Sequence, residues 1–203
     1  MRFENILALS AHTDDIEVAA GGTIAKFIEQ GSFVKLVAFS WCDLEILKSE
    51  QEESVDALGI QQFQILDFKR RIFPAHRQEI LDFLISERAW KDWDLVLVPS
   101  TYDVHQDHQV ISQEAIRAFK ERSTIWGYEI SHDLLKSDDS IFIKLSENDI
   151  WYKKKAVMCF SSQIEKHRKY FSDRAIMSSL ESNGVRILTD YAEKFQHIRT
   201  IIK

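Results

Sequence analysis

The run Ile6-Leu7-Ala8-Leu9-Ser10-Ala11 is short, continuous and apolar, and together with the two segments after it this run decides the fold. From Ile16 to Glu29 the residues Ile16, Ala19, Ala20, Thr23, Ile24, Phe27 and Ile28 recur on one helical face. Gly31 ends that stretch as a C-terminal cap would. Phe33-Val34-Lys35-Leu36-Val37-Ala38-Phe39-Ser40 is then a second strand. A buried strand, an amphipathic helix and a second buried strand in immediate succession predict a right-handed crossover between parallel strands.

The alternation continues outward. Residues 49–58 read as a helix closed by Gly59, 63–68 as a strand, 77–90 as a helix, 94–98 as a strand and 109–121 as a helix. Further strands are expected at 126–130 and 141–145, and a helix at 150–164, while 191–202 fits strand or helix equally. The expected fold is α/β, a Rossmann-like three-layer αβα sandwich with a mostly parallel sheet, formed by one domain over residues 1–203. Ligands of such sheets bind beyond the carboxyl ends of the strands.

Two polar clusters fall there. After the first strand comes Ala11-His12-Thr13-Asp14-Asp15-Ile16-Glu17, and after the fourth comes Tyr102-Asp103-Val104-His105-Gln106-Asp107-His108. Adjacent carboxylates repel unless something positive sits among them. A divalent metal supplies that charge, and imidazole with carboxylate suits zinc. Helix capping is the rival reading at both places, by Asp14 or Asp15 in the first and by Asp107 in the second. The first and fourth strands are expected to be neighbours at the point where strand order reverses. Two histidines and a carboxylate would then meet around one cation, leaving a second carboxylate and a third histidine for chemistry.

The two motifs resemble those of the LmbE-like, or PIG-L-type, zinc-dependent N-acetylglucosamine deacetylases. That family's first motif is Ala-His-Pro-Asp-Asp-x-Glu, matched by Ala11 to Glu17, and its second is His-x-Asp-His, matched by His105 to His108. Weaker matches are Gly21-Gly22-Thr23, Ala57-Leu58-Gly59-Ile60, Ser162-Gln163 and Tyr191-Ala192-Glu193-Lys194-Phe195. The resemblance implies that His12, Asp15 and His108 hold zinc and that Asp14 is the general base. It implies that His105 stabilises the oxyanion or protonates the leaving amine, with Asp107 orienting it and keeping it cationic. The chemistry of the residues alone does not tell Asp14 from Asp15. Thr13 departs from the pattern by replacing proline, which removes a stiffened turn but no ligand. Iron(II) suits the same donors.

The implied activity is removal of an acetyl group from an N-acetylated amino sugar or sugar conjugate. A zinc amidase acting on a non-sugar N-acyl substrate is the alternative, followed by a non-catalytic binding protein on the same fold. Arg70, Arg71 and Arg77 follow the third strand, and Arg71 is the expected substrate contact by resemblance. Trp41 and Tyr102 are candidates for stacking on a sugar ring.

Composition excludes other classes. With 26 Lys and Arg against 32 Asp and Glu, the net charge of -6 gives no concentrated positive surface for nucleic acid or anionic membrane. Lys153-Lys154-Lys155 is expected to be a solvated helix face. Two distant cysteines exclude a Cys-rich zinc module. Gly21-Gly22 lies inside a helix and is not the dinucleotide fingerprint; close packing of that helix is expected instead. No apolar run reaches the ~18 residues of a membrane span, and Met1-Arg2-Phe3-Glu4 runs straight into a strand. A cytoplasmic protein with a small-molecule N-acetylated substrate is expected, with homo-oligomerisation left open.

Overall fold

The computed structural model describes residues 2–42, 44–137 and 140–202. Strands β1 (Asn5–His12), β2 (Phe33–Ser40), β3 (Gln62–Ile65), β4 (Leu95–Pro99) and β5 (Thr124–Tyr128) alternate with helices α1 (Asp15–Glu29), α2 (Ile46–Leu58), α3 (Arg77–Trp90) and α4 (Gln106–Phe119). There follow β6 (Ile141–Lys144), α5 (Glu147–Met158), α6 (Ser161–Glu165), α7 (Asp173–Arg186) and β7 (Ala192–Arg199). The strands form one sheet in the order β3-β2-β1-β4-β5-β7-β6. Pairing is parallel from β3 to β5, and β7 is antiparallel to both neighbours. The expected α/β sandwich with a mostly parallel sheet is what the chain adopts.

The period of two in β1 sets the layers. Ile6 and Ala8 face a core shared with Ile16, Ile24 and Val55, on the side of α1 and α2. Leu7, Leu9 and Ala11 face a second core with Leu84, Ile111 and Phe119, on the side of α3 and α4. Both faces of β1 and β4 are therefore apolar, as a fully covered parallel strand requires. Strand order reverses between β1 and β4, and both polar clusters emerge there.

The second half departs from expectation in two ways and resolves one open alternative. Residues 150–164 are not one helix: α5 ends at Met158 and α6 begins at Ser161, after the buried Phe160. Residues 191–202, ambiguous in sequence, carry strand β7, paired between β5 and β6. Helix α7 has no counterpart among the expected elements. Its buried positions are Ile176, Leu180, Asn183 and Gly184, so half of its inner face is polar or small and the apolar stripe is faint. No helix among the described residues is long and apolar enough to cross a membrane.

Lys153 is not part of a solvated face. It is 2% exposed, and its Nζ bonds Glu193 Oε1 at 2.6 Å and the carbonyls of Glu17 and Val18 at 3.2 and 2.6 Å. Glu193 in turn accepts the backbone N–H of Gly22 (3.0 Å) and Thr23 (2.6 Å). The buried pair thus grips backbone groups of α1 one turn apart. Gly21 and Gly22 make this approach feasible: a Cβ on Gly21 would lie 3.2 Å from Lys153 Cγ, and one on Gly22 2.5 Å from Leu145 Cδ1. Close packing is the reason for the glycine pair, but its partners are α5 and the end of the sheet.

Candidate metal centre

Each cluster is shaped by a helix start. At the N-terminus of α1, Asp14 adopts a left-handed conformation (φ 87°) and its side chain makes no capping bond. Asp15 turns backwards instead, and its Oδ2 accepts the His12 N–H at 2.8 Å. The capping reading of this cluster therefore fails, and the Asp14 carboxylate is left to the pocket. The Thr13 N–H donates to the Ser40 carbonyl at 3.1 Å, a bond a proline could not make. That backbone bond restrains the turn that the missing proline ring would have stiffened.

In the second cluster α4 starts at Gln106, earlier than expected. Its cap is His105, whose Nδ1 accepts the Asp107 N–H at 3.2 Å. With Nδ1 accepting, the His105 proton sits on Nε2. This start turns the Asp107 carboxylate to His12 Nε2 at 3.0 Å, with further bonds from the N–H groups of Arg71 (2.6 Å) and Phe73 (3.3 Å). The expectation that Asp107 orients His105 is corrected on this point: its oxygens face His12. Burial opposes charge on Asp107, but His12 and the Arg71 N–H hold it below the usual carboxylate range. Nor is His105 kept cationic: burial, then His108 and His12, lower its pKa, outweighing Asp107.

His108 is braced in the same manner, its Nδ1 bonding Asp103 Oδ2 at 2.8 Å. Both imidazoles thus commit one nitrogen to a carboxylate, which leaves His12 Nδ1 and His108 Nε2 facing each other at 3.2 Å. Asp15 Oδ2 lies 3.8 Å from the first and 3.5 Å from the second. Two lone pairs and a carboxylate oxygen this close call for a positive charge between them. In the metal-free protein a proton supplies it: burial disfavours charge on His108, yet Asp15 and then Asp103 push it up to about 9.

A cation fits better. Zinc ligands at ~2.0–2.1 Å in a tetrahedron are about 3.3 Å apart, and the three donors form a triangle of 3.2, 3.5 and 3.8 Å. Carboxylates behind both histidines are what such ligands use to fix their tautomer. His105 brings a ring nitrogen within 4.8 Å of the other two histidines. Asp133 makes a second such group with Asp103 and His108.

Asp14 lines the same pocket, of about 250 Å³, together with His12, Asp15, His105 and His108. Burial, then Asp15 and Glu17, raise its pKa well above the carboxylate range, with Arg168 and His108 opposing. The Asp14 N–H donates to Gln51 Oε1 (3.3 Å), and Gln51 Nε2 donates to Glu17 Oε1 (2.5 Å). Glu17 thereby holds the Asp14 turn through Gln51. Burial is the main cause that pushes Glu17 up to about 7 from 4.5. A carboxyl raised on folding adds stability below its unfolded pKa and loses it as pH rises through its folded pKa. In metal-free protein, Glu17→Gln should flatten the decline in stability between about pH 5 and 8, a difference of ~3 kcal/mol at the upper end. Denaturant midpoints across that range measure it, and parallel curves for the two proteins would refute it. Cys42 lines the pocket too, but burial and Asp14 push its thiol up to about 12, which leaves no thiolate for nucleophilic attack.

Similarity to known proteins centres on the same residues. The family described as PIG-L: GlcNAc-PI de-N-acetylase matches residues 7–119, more than half of the chain and both clusters. The chain belongs to the PIG-L family. It is 28% identical over 156 residues to Uncharacterized deacetylase YaiS of Escherichia coli (strain K12), covering 71% of this chain and 83% of that protein. The N,N'-diacetylchitobiose deacetylase from Pyrococcus horikoshii superposes with a TM-score of 0.73 at 20% identity, over 96% of this chain and 83% of that one. GalB, the 4-carboxy-2-hydroxymuconate hydratase from Pseudomonas putida KT2440, gives 0.75 at 19% identity over 100% and 98%. These two likenesses show the fold alone, since a deacetylase and a hydratase share it.

Within this PIG-L chain the expected site residues His12, Asp14, Asp15, His105 and His108 line one pocket, and Asp107 reaches it through His12. Arg71 lies at the rim with positive φ (69°), and its backbone is spent on Asp107 and Gln106. Arg77 is turned away to Glu114 and Gln113. Trp41 bonds Asp67, Tyr102 lies under Lys136, and neither lines the pocket. Sequence reasoning missed Asp103 as the brace of His108, although it stands inside the second cluster. It also missed Arg168 and Tyr170, which line the pocket from the segment after α6 and bond each other at 2.5 Å. No local pattern marks those two.

Proposed function

We propose that this protein is a zinc-dependent hydrolase that removes the acetyl group from an N-acetylated amino sugar or sugar conjugate. The observation that carries the reading is the triangle of His12 Nδ1, Asp15 Oδ2 and His108 Nε2 with a second carboxylate, Asp14, uncommitted to capping beside it. A structural site would need the ligands; it would not need that spare base. Membership of a family of de-N-acetylases and the relative named a deacetylase support the same reaction.

Held by His12, Asp15 and His108, zinc would supply Lewis acidity and lower the pKa of water. The chain's own groups do the rest. Asp14 accepts the proton of the attacking water. The Nε2–H of His105 donates a hydrogen bond to the oxygen that gains charge, and Asp14 passes the proton it accepted to the departing nitrogen as the C–N bond breaks. Asp107 and Asp103 keep His12 and His108 in the tautomers that leave a lone pair at the centre.

Acetate release from N-acetylglucosamine, N,N'-diacetylchitobiose and an N-acetyl amino acid, with and without a chelator, tests the proposal. Chelator-sensitive release from the sugars is expected. Release from the amino acid alone would favour the amidase alternative, and none from any probe would sink the reading. His108→Ala should lower zinc content from about one per chain to well below half, because a three-ligand site loses a third of its donors. Elemental analysis showing full occupancy would remove His108 from the ligand set.

A further inference from the structure

Helix α2 serves the reaction pocket through two successive buried residues. Gln51 holds the Asp14 turn. Glu50, 3% exposed, reaches α6 instead. Its Oε1 accepts the Ser161 hydroxyl at 3.0 Å and the Ser162 N–H at 2.7 Å, and its Oε2 accepts the Ser162 hydroxyl at 2.7 Å. Among the described residues no cation pairs with it. A buried carboxylate without a counter-charge is costly, and these three donors are its compensation. We propose that Glu50 is a positioning residue, and that what it positions is Arg168, a substrate-binding residue of the reaction pocket. The proposal deepens the deacetylase reading and rests on it.

The path from the anchor to Arg168 is short and its turns are fixed. Helix α6 has only 5 residues, too few to be stable without tertiary support. The His167 N–H donates to the Ile164 carbonyl at 2.8 Å, and His167 has φ 53°. A non-glycine residue persists in that left-handed region only where its surroundings enforce it. The bend returns the chain to the pocket, which Gln163, Lys166, Arg168 and Tyr170 line. Arg168 spends one N–H on the Tyr170 hydroxyl at 2.5 Å, and the Tyr170 ring is itself fixed by stacking on His132 at 4.3 Å. Among the described residues no carboxylate forms an ion pair with Arg168. Its charge opposes the rise in the Asp14 pKa, yet its donors are not spent on that base. A guanidinium carries five N–H donors, so most are left for a ligand, and the hydroxyl oxygens of an amino sugar are acceptors that suit them. No zinc ligand and no step of the deacetylation depends on these bonds, so their use is in holding substrate.

The test is steady-state acetate release from N-acetylglucosamine and N,N'-diacetylchitobiose. Wild type is compared with Glu50→Ala, Arg168→Ala, the double variant and Glu50→Gln, with zinc content and unfolding midpoint measured for each. Each single alanine variant should raise KM about tenfold and change kcat by less than about threefold, because the zinc ligands and Asp14 stay in place. The double variant should be no worse than Arg168→Ala, since two losses through one contact do not add. Glu50→Gln should stay within about threefold of wild type, because its amide oxygen still accepts the Ser162 N–H. If Glu50→Ala fails to fold, Ser162→Ala replaces it, removing one of the three bonds; KM should rise about threefold alone and no further in the Arg168→Ala background. Additive losses overturn the positioning role, as does an unaltered KM in Ser162→Ala, or a fall in kcat or zinc content in Glu50→Ala with KM unchanged. An unaltered KM in Arg168→Ala overturns its contact with substrate. Absence of release from both probes by wild type sinks the deacetylase reading and this inference with it.

Discussion

Asp14→Asn should lower kcat by about 10²–10⁴-fold while leaving metal content and fold unchanged. The substitution isolates one property. A carboxamide has the size of a carboxylate and the same hydrogen-bonding reach, but it cannot take a proton. The backbone argues for Asn over Ala: residue 14 has φ 87°, a region that Asn tolerates and that strains most other side chains. Because the side chain makes no capping bond, its replacement removes nothing from α1. Zinc content and the unfolding midpoint serve as controls. Turnover within a few-fold of wild type would mean that another group takes the proton, and His105, across the same pocket, would be the next to test.

Lys153→Met should destabilise the protein by ~3–5 kcal/mol, because it strands a buried carboxylate. Lys153 and Glu193 each expose only 3% of their side chains, and the pair grips α1 through Glu17, Val18, Gly22 and Thr23. Methionine keeps the length of the stem but provides no counter-charge for Glu193. Adding Glu193→Gln should restore part of the loss, since the remaining amide is neutral and still offers an oxygen to the helix N–H groups. Denaturant unfolding of the two single variants and the double variant measures both effects. A loss below about 1 kcal/mol for Lys153→Met would show that the pair is replaceable by packing. The pair matters for the site because α1 carries Asp15 and Glu17 at its first turn, and Asp14 at its cap.

The first half of the fold was legible because its signals are local and strong. The largely apolar runs at 6–11, 33–40 and 94–98 are short and alternate with helical patterns, which favours strands covered on both faces, and Gly31 (φ 88°) and Gly59 (φ 75°) sit at helix ends in the left-handed conformation glycine favours. The second half was less legible because its patterns are diluted. Helix α7 buries Asn183 and Gly184 beside two apolar residues, and Lys153 hides a buried charge within a run of three lysines. In β7, Glu193 and Gln196 are buried polar residues where a strand pattern asks for apolar ones.

For the site, the sequence by itself determined the kinds of donor and where they stand, because strand ends at a reversal of strand order bring their loops together whatever the details. Tertiary structure alone decided which carboxylate serves which imidazole. That choice turns on where a helix begins: with His105 as the cap, Asp107 swings to His12, and Asp103, one bend earlier, takes His108. The same holds for the segment after α6, which Glu50 of α2 anchors beside the pocket. Contacts between residues so far apart in the chain leave no local period to read, since it is the sheet order that makes them neighbours.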